Sequence, residues 1–174
     1  MILGVTTLVL AIFIVGCSNG NTPTKVGENN TATTSSNTDT KSETKTFKVG
    51  DVVQLKNLKI TVNKVYTVKP TDVFKPADGK DFFAVDCTIE NTSKDSQAIS
   101  SMIMFKVVDK DGRSCEYSIT GLSAANAGQL DGEVGAGRKM TGVYVVEVPK
   151  GQTGLELEFD SSFLTGGQVI VKLN

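Results

Sequence analysis

Residues 83–90 read FAVDCTIE, and this stretch decides the fold class. Its apolar side chains Phe83, Val85, Cys87 and Ile89 fall on one face of an extended chain, while its charged and hydroxyl side chains fall on the other. Such alternation is typical of a β-strand that has one face in a core and the other in solvent. We therefore predict a half-buried strand here.

Short runs rich in β-branched and aromatic residues lie on both sides of this strand, from Phe47 to the end of the chain. Turn residues separate them, and no segment keeps the 3.6-residue apolar period of a helix for long. Many short strands divided by turns are typical of an antiparallel sandwich, so we predict an all-β fold. The predicted strands lie at residues 52–55, 58–65, 83–90, 103–107, 115–119, 142–148, 155–159 and 168–173.

Two connections between the predicted strands are unusually long. Residues 69–80 contain Pro70 and Pro76, and residues 121–138 are rich in Gly and Ala. A helical turn fits within either of them. Because long loops on a rigid scaffold often carry binding residues, we predict that these loops and the strand edges form the contact surfaces of the domain.

The first sixteen residues carry no charge and are almost wholly apolar. A bilayer-spanning helix needs about 20 apolar residues, so this run fits the apolar part of an export signal better. The sequence Ile14-Val15-Gly16-Cys17 resembles the lipobox of bacterial lipoproteins, in which the cysteine takes the lipid. We predict a signal peptide over residues 1–16, lipidation of Cys17, and a lipid-anchored location on the extracellular face of the cell membrane. The alternatives are that Cys17 merely ends a signal anchor or is an ordinary cysteine of the cleaved region.

Such signals normally begin with Lys or Arg, and here Met1 is followed directly by Ile2 and Leu3. We therefore expect the true start to lie upstream. Residues 18–46 consist mainly of Ser, Thr, Asn and Gly, a composition that cannot bury enough apolar surface to offset its ordering entropy. The predicted organisation is a signal peptide (1–16), a lipidated cysteine with a disordered linker (17–46), and a β-sandwich domain (47–174). A flexible linker of this length has a root-mean-square span of about 30 Å.

Several strand and turn motifs of the domain match a known family. In chain order they are residues 47–51 (FKVGD), residues 83–91 (FAVDCTIEN), Phe105 followed by residues 109–112 (DKDG), residues 135–137 (GAG), Gly142, and Val148-Pro149. The chain from 47 to 174 resembles the telokin-like, immunoglobulin-like domain of unknown function found in many lipoproteins of Gram-positive bacteria. The resemblance implies an immunoglobulin-like β-sandwich and a non-catalytic surface domain, and it supplies no ligand.

Composition excludes several classes of function. The chain has 18 basic and 19 acidic residues, which argues against a nucleic-acid binder. It has no histidine, which excludes Ser-His-Asp and Cys-His catalysis and His-ligated metals. We predict a protein that is not an enzyme, has no cofactor, and binds an unknown envelope protein, polymer or small ligand. The alternative is a structural, protective or envelope-stress lipoprotein, of bacterial or phage origin, without a tight soluble ligand.

Cys87 and Cys115 are the clearest candidates for a disulfide bridge in the domain. They do not belong to the general pattern of the family. Both lie in runs whose alternate residues face the predicted core. An exported protein can keep a disulfide, and a bridge closing this loop would stabilise the fold by roughly 3–4 kcal/mol. The alternative is two buried thiols that act as small apolar side chains.

Acidic residues give no catalytic pair. The sequence Asp109-Lys110-Asp111-Gly112 looks like the start of a calcium loop, but Thr120 stands where the bidentate glutamate is needed, so a turn between strands is the commoner explanation. The carboxylates of Asp86, Glu90, Glu156 and Glu158 are spaced as the solvent face of a sheet. We predict no metal and no catalytic site.

Overall fold

The structure, a computed structural model, describes residues 23–27, 45–160 and 168–174. The predicted signal peptide and Cys17 lie outside the described residues. The strands are β1 (Thr24–Lys25), β2 (Thr46–Lys48), β3 (Val52–Leu55), β4 (Leu58–Val68), β5 (Lys80–Asn91), β6 (Gln97–Ser100), β7 (Phe105–Val108), β8 (Glu116–Tyr117), β9 (Asp131–Val134), β10 (Lys139–Pro149), β11 (Glu156–Asp160) and β12 (Gln168–Lys172). The helices are α1 (Ser101–Met104) and α2 (Ile119–Ala125).

These strands form two main layers, which confirms the predicted β-sandwich. One sheet has six strands in the order β1-β3-β4-β5-β10-β8, and the other has four in the order β2-β12-β11-β7. A two-stranded ribbon of β6 and β9 completes the fold. Among the described strands the pairings are antiparallel except that of β2 with β12, which is parallel.

The main core lies between the two sheets and follows from the alternation in β5. Val85, Cys87 and Ile89 of that strand are fully buried, as the period of two requires. An aromatic contact joins the layers, because the ring of Phe105 on β7 lies 5.8 Å from that of Tyr144 on β10. Each fully buried aliphatic or aromatic side chain contributes about 1.5–3 kcal/mol relative to exposure.

A second, smaller core covers part of the outer face of the six-stranded sheet. Phe82 and Ala84, which point away from the main core, pack with Val145 beneath Leu122 of α2. The helix begins at Ser118, whose side chain accepts a hydrogen bond from the amide of Gly121 at 3.0 Å. The outer face of β5 is therefore apolar near its start and polar farther along.

The structure corrects two predicted strands. Ile103 was expected in a strand but lies in α1, where its side chain is 57% exposed, and the strand begins only at Phe105. The expected strand at residues 115–119 is reduced to β8, and Ile119 starts α2. The helical turn predicted for the longer connection is confirmed, since α2 occupies its beginning, but β9 within it and β6 were not predicted.

The expectation of a wholly disordered linker is wrong for residues 24–26. Thr24 and Lys25 form β1, which pairs antiparallel with Gln54 and Val53 at the edge of the six-stranded sheet. The amide of Val26 extends this pairing by donating to the carbonyl of Val52 at 2.8 Å. The outer edge of β3 offers backbone N–H and C=O groups that need partners. The backbone of a polar segment can pair with them without burying any apolar side chain.

Candidate functional site

Three connections emerge at one end of the sandwich. The register places Lys80, the first residue of β5, opposite Pro149, the last of β10. In the other sheet, Val108 at the end of β7 is opposite Glu156 at the start of β11. Residues 69–79, 109–113 and 150–155 therefore leave the sheets on the same side, and we call this side the loop end. The opposite side, with residues 56–57, 92–96, 101–104 and 135–138, is the far end.

A carboxylate at the loop end contacts the two long connections of the structure, residues 69–79 before β5 and residues 118–130 between β8 and β9. The Oε2 atom of Glu147 accepts a hydrogen bond from the amide of Ala77 at 3.2 Å, and its Oε1 atom accepts one from the Ser118 hydroxyl at 3.3 Å. The side chain of Glu147 is only 15% exposed, and the Lys80 ammonium lies 3.8 Å away. Because Ser118 caps α2, one carboxylate fixes both residues 69–79 and the start of that helix.

Exposed apolar side chains stand on these same two segments. Val73 is 80% exposed and Ile119 is 63% exposed, while Phe74 is partly covered. Residues 71–74 form a closed turn, since the Thr71 amide donates to the Phe74 carbonyl and the Phe74 amide donates to the Thr71 hydroxyl, each at 2.9 Å. The loop end thus presents apolar side chains from a backbone that is already held in shape.

Beside them lies a shallow groove of about 330 Å³ with charged walls, lined by Lys80, Asp109, Arg113, Cys115, Glu147 and Gln152 among others. Partial burial of Cys115 raises the pKa of its thiol, and the nearby charge of Asp109 acts in the same direction. The thiol is therefore protonated at neutral pH, which is the opposite of an activated nucleophile.

The structure separates the two cysteines and so contradicts the hypothesis of a bridge. Cys87 is opposite Gly142 on β10, whereas Glu116, the neighbour of Cys115, is opposite Glu147 on the same strand. Five residues of strand amount to roughly 17 Å, while the Cα atoms of a disulfide lie within about 7 Å. Both thiols are free. Burial raises the pKa of Cys87 far above its ordinary value, so this thiol acts as the small apolar side chain of the alternative interpretation.

The turn at residues 109–113 uses its carboxylate internally. The Oδ1 atom of Asp109 accepts from the amides of Asp111 and Arg113, both at 2.9 Å, and the Arg113 guanidinium donates to Oδ2 at 3.1 Å. The Arg113 amide is the largest of the influences that lower the pKa of Asp109. Within the described ranges, no three acidic or thiol side chains meet as metal ligands would. The arrangement is that of a turn between strands.

The acidic residues of the sheet faces lie opposite lysines. Glu90 faces Lys59 on one neighbouring strand and Lys139 on the other, at 3.8 and 3.1 Å. Asp86 lies 3.9 Å from the Lys64 ammonium, and Glu158 pairs with a lysine of β7 in the same way. Glu156 lines a second groove at the loop end. Exposed pairs of this kind contribute little stability.

Sequence reasoning missed Glu147, although a signal was available. In the run VYVVEVP at residues 143–149 it is the one charged side chain among apolar neighbours. Such a residue is rarely buried without a partner. Its partners, however, lie 70 and 29 positions away along the chain, so they could not be assigned from the run itself.

Comparison with known proteins gives a family of unknown function. A family model described as "Domain of unknown function (DUF4352)" matches residues 47–170. The uncharacterized protein YxkC of Bacillus subtilis is 35% identical over 121 residues, which cover 63% of this chain and 67% of that protein.

Solved structures with the same fold come from Bacillus subtilis and Clostridium difficile. The crystal structure of the yjhA protein of Bacillus subtilis is 24% identical, with a TM-score of 0.60, and covers 74% of this chain and 99% of that one. The ycdA protein of the same species, described as a candidate lipoprotein, is 20% identical with a TM-score of 0.57, over 76% of this chain and 39% of that one. An uncharacterized β-sandwich protein of Clostridium difficile has a TM-score of 0.50 at 16% identity and covers 79% of this chain and 100% of that one. In the part of the chain that the structure describes, no helix is long and apolar enough to cross a bilayer.

Proposed function

The chain belongs to the DUF4352 family of domains of unknown function, and from this premise we propose that it is a lipid-anchored cell-surface protein whose sandwich is a non-catalytic binding domain. The sandwich is of the telokin-like, immunoglobulin-like type, and it binds its partner through the loop end. The domain lies on the extracellular face of the cell membrane.

Two observations support the lipid anchor. The lipobox-like sequence at Ile14–Cys17 follows an uncharged apolar run, as processing by a lipoprotein signal peptidase requires. A protein of the same fold, ycdA, is itself described as a candidate lipoprotein. Two acyl chains on Cys17 would provide the stable attachment that a single chain does not.

One observation supports the loop end as the binding surface: Glu147 contacts both long connections. Because the carboxylate holds residues 69–79 and the start of α2, the exposed side chains of Val73 and Ile119 are presented with little conformational freedom left to lose. Apolar anchors within a polar rim are typical of protein–protein contacts. A protein of the cell envelope is therefore the partner class that fits best.

The binding role is tested by photo-crosslinking in intact cells. A photoreactive amino acid is placed at Val73 or at Ile119, and the matched control places it at Met102, which is 67% exposed at the far end. We expect discrete cross-links to protein from the first two positions and no cross-linked protein from the control. Equal products from all three positions contradict a binding role for the loop end, and no products from any of them favour the structural or protective alternative.

The lipid anchor is tested separately by metabolic labelling with a fatty-acid probe. We expect the wild-type protein and a Cys115→Ser variant to take up the label and a Cys17→Ser variant to lose it. An unlabelled wild-type protein would refute the anchor and leave the cross-linking result to be judged by itself.

A further inference from the structure

The edge strand β1 is the described strand that lies nearest in sequence to the proposed lipidation site, Cys17. We propose that β1 acts as a clasp, consisting of residues 23–27, that keeps the domain close to the bilayer with the far end toward the lipid. The inference rests on the lipid anchor proposed above and goes beyond it, because an anchor alone fixes neither distance nor orientation.

The clasp is held by backbone and side-chain contacts. Its pairing with β3 and the Val26 amide bond fix its register. In addition, the Lys25 ammonium lies 2.8 Å from Oδ1 of Asp51, whose Oδ2 accepts a hydrogen bond from the Lys48 amide at 3.0 Å. Asp51 thus connects the clasp to the turn between β2 and β3.

Docking of the clasp shortens the tether. Only residues 18–22 separate Cys17 from Pro23, the first residue of the clasp. Six Cα–Cα steps of about 3.3–3.6 Å cover at most roughly 20 Å. If the clasp detached, the connection would run from Cys17 to Lys45, with a maximum reach of roughly 90–100 Å by the same geometry. The difference between these two maximum lengths is far larger than the spacing between the two sheets, which is about 10 Å.

The direction of β1 decides the orientation. The strand runs antiparallel to β3, with Thr24 opposite Gln54 and Lys25 opposite Val53. β3 ends at Leu55, and the tight turn that follows at residues 56–57 lies at the far end. Because β1 runs in the opposite direction to β3, the chain before Thr24 approaches from the far end. The short tether therefore holds the far end toward the bilayer and leaves the loop end pointing away from it.

The far end also offers side chains that suit a lipid surface. Met102 and Ile103 of α1 are 67% and 57% exposed. These two neighbouring apolar side chains would leave water on contact with the apolar part of a bilayer. Because the docked tether brings this end within reach of the bilayer, we assign the lipid interface as their partner, in place of a second protein.

The test uses the proposed mature chain, residues 17–174, in a Cys115→Ser background. Its Cys17 thiol is coupled to a maleimide phospholipid in nanodiscs that contain gadolinium-chelate lipid. We expect several-fold stronger paramagnetic relaxation of amides at residues 92–95 and 101–104 than at residues 73–75 and 110–113. Equal relaxation at both ends overturns the proposal. Since the lipid is attached chemically, this result is independent of whether cells lipidate Cys17.

Two variants separate the clasp from the anchor. Val26→Pro removes the donor to the Val52 carbonyl, and we expect it to abolish the difference in paramagnetic relaxation between the two ends. Asn30→Pro places a proline outside the clasp, and we expect it to leave this difference intact.

The apolar contact is tested by Met102→Ser combined with Ile103→Ser. We expect this double variant to reduce the relaxation at residues 101–104 and Val73→Ser to leave it unchanged. An unchanged orientation in the Val26→Pro protein refutes the role of the clasp, and an unchanged orientation in the double serine variant refutes the apolar contact.

Discussion

The ammonium of Lys25 lies 2.8 Å from the carboxylate of Asp51, and this ion pair joins a linker residue to the folded domain. This ion pair adds a side-chain contact to the backbone hydrogen bonds that hold the clasp on β3. The same interaction with Lys25 is the largest cause of the lowered pKa of Asp51, followed by the hydrogen bond from the Lys48 amide.

Clasp docking should therefore weaken in acid. A carboxyl group whose pKa is lowered in the folded state stabilises that state above its unfolded pKa of about 3.9, and the contribution is lost as the pH falls through the lower, folded value. We expect protection of the Val26 amide from hydrogen exchange, relative to the Val53 amide, to be constant near neutral pH and to fall below about pH 4. The Asp51→Asn variant should show weaker protection at neutral pH and no such acid step, and an acid step of full size in that variant would contradict the assignment.

Removing the carboxylate at the loop end should loosen both long connections. In Glu147→Ala, the Ala77 amide and the Ser118 hydroxyl lose their acceptor, at a cost of about 1–3 kcal/mol. Hydrogen exchange followed by mass spectrometry should show faster exchange at residues 71–79 and 119–125. Glu116→Ala is the matched control, because the Glu116 side chain is 77% exposed and pairs with Lys80 at 3.5 Å. Equal changes in the two variants would show that Glu147 does not hold these segments.

The position of Gly142 should not accept a side chain. A Cβ atom there would lie 2.7 Å from the backbone carbon and oxygen of Gln129, and a backbone cannot move aside as a side chain can. We expect Gly142→Ala to lower the free energy of unfolding by about 1–3 kcal/mol, as overpacking does. Gly135→Ala is the control, since the nearest atom would be a flexible Arg138 carbon at 3.6 Å. Chemical denaturation of both variants measures the difference, and a neutral Gly142→Ala would be inconsistent with this close approach.

The cysteines should react separately and without prior reduction. Cys115 is half-buried at the groove, and Cys87 is fully buried in the main core. We expect a maleimide reagent to modify Cys115 in the native protein and Cys87 only during unfolding, at equal rates whether or not the protein was first reduced and the reductant removed. The melting temperature should not depend on reductant. Mass spectrometry of peptides from protein exported through an oxidising compartment provides the check, and a peptide pair joined by a bridge would contradict the fold.

Several features could be read from single runs of sequence. The period of two in residues 83–90 predicts a strand, since successive side chains of an extended chain point to opposite sides. The Asp-Gly at residues 111–112 predicts a turn, which Gly112 forms with a φ of +76°. The long connection before Lys80 could also be located, because Pro70 and Pro76 interrupt the alternation there.

Other features arise from contacts between residues that are far apart in the chain. Nothing in the polar run around Thr24–Lys25 predicts a strand, because its order comes from the unpaired edge of β3 and the charge of Asp51. In the same way, Phe82 and Ala84 are buried on the outer face only because α2 lies over them.

The amino-acid sequence by itself determined that long strands such as β4 and β5 are extended and which of their faces meets the main core, since both follow from local periodicity. Only the tertiary structure decided that Cys87 and Cys115 sit apart, that Glu147 holds two distant connections, and that the linker returns to the sheet edge. The physical reason is that register and edge pairing satisfy backbone and charged groups across the whole fold, and no local pattern encodes which distant partner will satisfy them.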